Sequence, residues 1–190
     1  MKLIILDRDG TINSDSEDFV KTPDEWLPLP GSLEAIARLN HAGWHVVIAS
    51  NQSGLGRGLF DVASLNAMHA KMHKMLGAVG GRIDAVFYCP HSPEESCQCR
   101  KPLPGLFEQI GERFGVPLKG VPTAGDSLRD LQAGAAAGCE PHLILTGKSA
   151  QYRGGGRPEG LPAGTLLHTD LSAFVDFILE RSALSLTVTL

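Results

Sequence analysis

Leu3-Ile4-Ile5-Leu6-Asp7-Arg8-Asp9-Gly10-Thr11 sets four aliphatic residues directly ahead of two carboxylates two positions apart. An apolar run this short, closed by Asp and Gly, is too brief for a buried helix. It suits a strand covered on both faces, the environment of a parallel sheet. The pattern recurs. Apolar runs at 46–49, 85–88, 121–124 and 143–145 alternate with helical periodicity over 32–42 and 62–76, around Leu106, Ile110 and Phe114, and through Leu128, Leu131 and Ala135. Repeated βα units predict an α/β fold: a doubly wound, Rossmann-like parallel sheet flanked by helices. A Gly-rich loop is expected over 153–160, then a short strand at 166–167 and a helix burying Leu171, Phe174, Val175, Ile178 and Leu179. Residues 1–182 read as a single domain. The tail 183–190 alternates Leu184, Leu186, Val188 and Leu190, which fits an edge strand, a dimer contact or a frayed end.

With 190 residues, 43% of them hydrophobic, the chain has material for one packed core. Its 17 basic and 21 acidic residues are interspersed, for a net charge of -4. No Lys/Arg run concentrates positive potential, so nucleic acid is not an expected partner. The N-terminal apolar run is too short for a signal-peptide core and no later stretch is long enough to span a bilayer. A cytoplasmic monomer without membrane attachment is expected.

Open parallel sheets bind ligands at the carboxyl ends of their strands. Four such ends carry chemistry: Asp7 and Asp9; Ser50-Asn51-Gln52-Ser53; Arg100-Lys101 beyond a Cys/His cluster; and Asp126-Ser127 with Asp130 one turn on. Carboxylates, a hydroxyl and cations on one edge fit phosphoryl transfer, where catalysis is chiefly positioning and charge neutralisation. Asp7 is the expected nucleophile. Mg²⁺ on Asp7, Asp126 and the backbone carbonyl of Asp9 would suppress its repulsion from phosphate. The Asp9 side chain then stays free to serve as acid and base. Ser50 and Lys101 are expected to stabilise the phosphoryl oxygens, and Asp130 to orient Lys101 or the metal's waters. Singly, each feature has a bland reading, since Asp is common in turns and Ser50 or Asp126-Ser127 can cap a helix. Four of them in order, each at a strand end, outweigh it.

Cys89-Pro90-His91 and Cys97-Gln98-Cys99 gather three thiols and an imidazole within eleven residues. In a reducing compartment this spacing favours a closed, structural Zn²⁺ site over a disulfide. Such a site would staple the loop that carries Arg100 and Lys101. Cys139 stands apart and reads as a small buried hydrophobe. His69 and His73 read as ordinary helix residues, beside Leu65, Met68, Met72 and Met75 in the core.

Asp-Arg-Asp-Gly-Thr-Ile-Asn at 7–13, Asn-Gln-Ser-Gly-Leu-Gly-Arg-Gly at 51–58 and Cys-x-Cys-Arg-Lys-Pro at 97–102, with Asp126, resemble the haloacid dehalogenase superfamily of phosphatases at all four of its signature positions. The similarity narrows to the D-glycero-D-manno-heptose-1,7-bisphosphate 7-phosphatase family. That resemblance implies release of the 7-phosphate of a small-molecule sugar bisphosphate by way of an aspartyl phosphate, in the supply of nucleotide-activated heptose for lipopolysaccharide or another surface polysaccharide. It implies Asp7 as nucleophile, Asp9 as acid/base, Mg²⁺ on Asp7, Asp9 and Asp126, and Zn²⁺ on Cys89, His91, Cys97 and Cys99. Ser50 and Lys101 would stabilise the phosphoryl group and Arg100 would contribute to substrate recognition. Further substrate contacts would come from Asp15, Ser16, Glu17 and Asp18, from Asn51, Gln52 and Ser53, and at Ser127. The last departs from the family pattern, in which many members carry Lys directly after the fourth-motif Asp. Residues 51–99 are filled by helix, strand and zinc loop, so no cap domain is expected and specificity falls to loops. The second phosphate would then reach Arg100 or Arg57.

Histidinol-phosphate phosphatases share the zinc loop and are the nearest alternative; Ser53-Gly54-Leu55-Gly56-Arg57-Gly58 leans toward the heptose family. An alternative of another class is a non-catalytic phosphoreceiver or zinc-binding module. Receivers carry their phosphorylated Asp after a middle strand and have no need of a second aspartate two residues on.

Overall fold

The computed structural model describes residues 1–187 and arranges six strands in one sheet: β1 (Leu3–Leu6), β2 (His45–Asn51), β3 (Ala85–Cys89), β4 (Pro122–Gly125), β5 (Glu140–Ile144) and β6 (Leu166–His168). Every pairing is parallel, in the order β3-β2-β1-β4-β5-β6. The helices are α1 (Ser32–His41), α2 (Ser53–Gly56), α3 (Val62–Ala78), α4 (Gly105–Phe114), α5 (Leu128–Ala136) and α6 (Leu171–Thr187). This is the doubly wound parallel sheet expected from the alternation of runs.

The unbroken apolar strands are explained by what covers them. Ile4 and Leu6 of β1 and Val46 and Ile48 of β2 pack with Ile36 of α1, Met68 of α3 and Phe174 of α6. Their neighbours Leu3, Ile5, Val47 and Ala49 face the other way, against Leu106, Phe107 and Ile110 of α4 and Ala133 of α5. Period-two alternation therefore buries both faces.

Four elements differ from expectation. β5 starts at Glu140, ahead of the apolar run, because its ladders to β4 and β6 begin at polar residues (Pro122↔Glu140, His142↔Leu166). His142 is buried there with both ring nitrogens engaged, one 2.9 Å from His168 Nε2 and the other 2.8 Å from Glu140 Oε1. A 3₁₀ helix, Gly147–Gly154, overlaps the start of the expected loop, and α2 is a single turn that carries no periodicity of its own. The leucine alternation of the tail is no strand as far as Thr187, where α6 ends; residues 188–190 lie outside the described residues.

The sheet order reverses between β1 and β4, since the chain leaves β1 for β2 and β3 and returns through α4 to β4. A crevice opens at such a switch point. The segment between β1 and α1 borders it, anchored by the fully buried Trp26 and by Lys71 of α3, whose ammonium donates to Pro23 O at 2.7 Å and Trp26 O at 2.8 Å. Only α2 and α3 lie between β2 and β3, so no cap domain interrupts there. Among the described residues no helix is long and apolar enough to cross a membrane.

Candidate active site

Asp7 continues the β1 ladder, its N–H donating to Ala124 O at 2.9 Å, so its side chain is presented where the crevice opens. Lys101 reaches it from the loop after β3. Its ammonium, almost wholly buried, lies 2.7 Å from Asp7 Oδ1, 2.7 Å from Asp130 Oδ1 and 2.7 Å from Ala49 O. Asn51 fixes the lysine's backbone, accepting from Lys101 N–H at 3.0 Å and donating to Lys101 O at 3.1 Å.

Asp7, Asp126 and Asp130 offer carboxylate oxygens within 4.8 Å of one another. Burial and then the Asp130 charge push the Asp7 carboxyl up to about 6, against the pull of Lys101. Burial, Asp7 and Asp130 push Asp126 up to about 8. Burial opposes the charge on Lys101, but Asp130 and then Asp7 outweigh it and hold the ammonium above the usual lysine range. Three crowded carboxylates with one ammonium leave the cluster short of positive charge. Hard oxygen donors in that state fit a divalent cation such as Mg²⁺.

The turn after β5 holds Asp126 in place. Lys148 N–H donates to Asp126 Oδ2 at 2.7 Å, Ser149 Oγ to Asp126 O at 2.7 Å, and Thr146 Oγ1 to Gly10 O at 2.6 Å. Sequence reading missed Thr146, Lys148 and Ser149, although the rule that singled out four strand ends applies equally to the fifth.

The Asp9 side chain is held by its neighbours. Arg8, fully buried, donates to it at 2.9 and 3.0 Å, Asn13 at 2.8 Å and Gln52 at 2.9 Å. Burial opposes ionisation, but the Arg8 guanidinium and these bonds hold the carboxyl below its usual range. Gln52 also donates to Ser50 Oγ at 2.8 Å, leaving the buried serine its own hydroxyl hydrogen to give. His69 proves to be more than a helix residue, with Nε2 3.2 Å from Arg8 Nη1. Burial and then Arg8 push the imidazole down to about 4, so it is neutral at pH 7.

Above this floor lies a cavity of about 790 Å³. Asp15, Ser16 and Glu17 form one wall, Asn51, Gln52 and Ser53 another, and Arg100 and Ser127 close the rim; Asp18 is exposed away from it, and Ser50 lies beneath the surface. Arg57, Arg129 and Lys148 also border the cavity, the last two unforeseen.

The Cys/His cluster can be tested against metal geometry. Tetrahedral bonds of Zn²⁺ length require S···S near ~3.8 Å and S···N near ~3.6 Å. Cys89 and Cys97 sulfurs are 3.8 Å apart, and His91 Nδ1 lies 3.4 Å from Cys89 Sγ and 3.3 Å from Cys99 Sγ. All four donors fall within 4.8 Å of one another. The set fits zinc. Cys139, by contrast, is a lone buried thiol that burial pushes up to about 12.

The polynucleotide kinase 3 phosphatase family profile matches residues 2–140. A Bordetella bronchiseptica protein named D-glycero-beta-D-manno-heptose-1,7-bisphosphate 7-phosphatase is 58% identical over 182 residues, covering 96% of this chain and 100% of that protein. A Pseudomonas aeruginosa protein of the same name is 51% identical over 178 residues, 94% of this chain and 98% of that protein. The crystal structure of D,D-heptose 1,7-bisphosphate phosphatase from B. bronchiseptica, complexed with magnesium and phosphate, aligns with a TM-score of 0.91 at 58% identity, over 95% of this chain and 99% of that one.

Proposed function

This chain belongs to the polynucleotide kinase 3 phosphatase family and, within it, to the D-glycero-β-D-manno-heptose-1,7-bisphosphate 7-phosphatases of the haloacid dehalogenase type, and on that footing we propose that it hydrolyses the 7-phosphate of D-glycero-D-manno-heptose 1,7-bisphosphate through an aspartyl phosphate on Asp7. The observation that carries this reading is the nucleophile's setting: Asp7 at the switch point, 2.7 Å from the Lys101 ammonium, inside a carboxylate cluster that calls for a cation. Mg²⁺, held by Asp7, the Asp9 carbonyl and Asp126, supplies the charge that offsets repulsion between carboxylate and phosphate.

Asp7 Oδ attacks phosphorus as the P–O bond to the sugar breaks, and Asp9 gives its proton to the leaving alkoxide. Asp9 then takes a proton from water, which attacks the aspartyl phosphate and frees inorganic phosphate. Lys101 and Ser50 stabilise charge on the transferring oxygens. The cage of Arg8, Asn13 and Gln52 keeps Asp9 ionised, which suits its role as base; to act as the acid it must leave that cage and first take up a proton from solvent, which it then passes to the leaving alkoxide. Asp9→Asn should cut sugar-phosphate turnover by about 10²- to 10⁴-fold and let phosphorylated Asp7 accumulate in rapid-quench experiments. Retained sugar phosphatase activity would remove Asp9 from the acid/base role.

Zn²⁺ on Cys89, His91, Cys97 and Cys99 would be structural, with no ligand position left for substrate. It would rigidify the loop leading to Arg100 and Lys101, lowering the side-chain entropy lost on binding. Cys99→Ala is expected to release zinc and lower kcat/KM while Mg²⁺ binding, followed by calorimetry, persists. Unchanged kinetics in a verified zinc-free variant would contradict that role.

We place the activity in the cytoplasm, supplying nucleotide-activated heptose for lipopolysaccharide or a related surface polysaccharide. Parallel assays of the heptose bisphosphate and histidinol phosphate with Mg²⁺ test the substrate. A clear preference for the heptose compound is expected, and a large preference for histidinol phosphate would overturn it.

A further inference from the structure

Arg8 is fully buried and divides its guanidinium between two partners. Along one edge, Nε donates to Asp9 Oδ1 at 3.0 Å and Nη2 to Oδ1 and Oδ2 at 2.9 and 3.0 Å. The remaining nitrogen, Nη1, lies 3.2 Å from His69 Nε2, its one acceptor among the described residues. His69 comes from α3, whose buried face carries Leu65, Met68, Met72 and Leu76. One residue past Met68 and four past Leu65, it sits half-buried at the margin of that face and reaches the end of β1.

The contact fixes the state of the imidazole. A guanidinium carries N–H donors only and stays charged, so the hydrogen between the two nitrogens belongs to Arg8. His69 Nε2 is therefore bare, and the ring proton lies on Nδ1. Protonating the ring would remove the acceptor and set a second cation against the first. In keeping with this, burial, then Arg8 and His73, push the imidazole down to about 4 against the opposing Asp9 charge.

What the contact does becomes plain when Asp9 moves. As acid, its carboxyl has to quit the cage for the leaving alkoxide, and as base it has to return to water. On its departure Arg8 loses the partner of both Nε and Nη2, keeping only Gln52 Oε1 at 3.4 Å on that edge. A guanidinium held by nothing else would follow the carboxylate and compete with the alkoxide for it. We propose that His69 is a positioning residue for proton transfer, its bare Nε2 anchoring Arg8 Nη1 while the Asp9 carboxyl swings out and back. This rests on the acid/base reading of Asp9 given above.

The test uses the full chain with Mg²⁺ and two esters, the heptose 1,7-bisphosphate and p-nitrophenyl phosphate. Nitrophenolate leaves without a proton, so only the sugar ester needs the acid. In His69→Leu the first-turnover rate with the heptose ester should fall roughly 10- to 100-fold, in kcat rather than KM, while nitrophenolate release in the first turnover stays within about 3-fold of the parent. His69→Gln keeps an uncharged acceptor at the same reach and should recover most of the loss. Nitrogen NMR of the parent at neutral pH should show His69 with Nε2 bare and Nδ1 protonated. Asp9→Asn should show the same leaving-group selectivity, more deeply. If it does, but His69→Leu slows both esters alike, His69→Gln recovers nothing or Nε2 carries the proton, the role of His69 is overturned. If Asp9→Asn itself slows both esters equally, the acid/base reading of Asp9 fails instead.

Discussion

Asp7→Asn is expected to lose at least about 10⁴-fold in turnover and, stripped of Mg²⁺, to melt at a higher temperature than the parent. The amide keeps the size and one oxygen of the carboxylate, so Lys101 and the floor of the cavity retain a neighbour of the same shape. It cannot form the mixed anhydride, and no phosphate should appear on the side chain after rapid quench. The stability gain comes from the same residue. The Asp7 carboxyl titrates near 6 in the folded chain, against an ordinary 3.8, because of burial and then the Asp130 charge. Above pH 6 the fold therefore holds a charge it disfavours relative to the unfolded chain. The penalty is fully present at pH 7 and fades as pH falls from about 6 to 3.8. Removing it should stabilise the metal-free protein by on the order of 2 kcal/mol at pH 7, or roughly 4–8 °C in Tm. Differential scanning calorimetry in EDTA at pH 7 and pH 4 checks the sign, since the gain should shrink at the lower pH. An active Asp7→Asn, or one less stable than the parent in EDTA, would contradict the argument.

How far the site was legible depends on whether its parts are local in sequence. Asp7 and Asp126 stand directly after buried strands, so the strand-end rule located both. The Cys/His cluster was equally accessible, because Cys89 to Cys99 is one continuous stretch whose residue types and spacing suit a zinc ion. The Asp9 cage was not. It joins Arg8 and Asn13 from the end of β1 to Gln52 from the end of β2, a contact 43 residues away in sequence. No local pattern says that an arginine between two aspartates turns back on one of them. The start of β5 was missed for a related reason: Glu140 and His142 look like loop residues until His168, from β6, completes their hydrogen bonds. In the tail, alternating leucines left an edge strand, a dimer contact or a frayed end open, whereas α6 continues to Thr187, so helical continuity from Leu171 prevails over a short period-two pattern. The carboxylate floor was thus readable one strand at a time, whereas the groups that set its charge required the sheet to be assembled.

Gly147 shows what assembly adds, and Gly147→Ala should be the most damaging single-methyl change near the site. A Cβ at this position would lie 2.1 Å from Asp126 Oδ2 and 2.7 Å from Gly10 Cα, with φ at +46°. Gly10 presses on the same carboxylate oxygen, since a Cβ there would come within 2.2 Å of Asp126 Oδ2. The Asp126 carboxylate therefore packs against two adjacent glycines, and the Gly10 backbone blocks the methyl group from moving aside toward it. Asp126 has to swing away. It then loses the Lys148 N–H bond at 2.7 Å and its place beside Asp7 and Asp130. Changes that misorient a metal ligand commonly cost about 10- to 100-fold in metal affinity, and displacing the ligand itself should cost at least that much. Titration calorimetry with Mg²⁺ should show the loss directly, with turnover at limiting Mg²⁺ falling in parallel and partly recovering at high Mg²⁺. Gly154→Ala supplies the control in the same 3₁₀ helix, because a Cβ there meets nothing within 4 Å. Its stability should change by no more than about 0.5 kcal/mol and its Mg²⁺ affinity should match the parent's. If Gly147→Ala bound Mg²⁺ as tightly as Gly154→Ala, the turn after β5 would have no part in holding Asp126, and the metal site would have to be built from β1 and β4 alone.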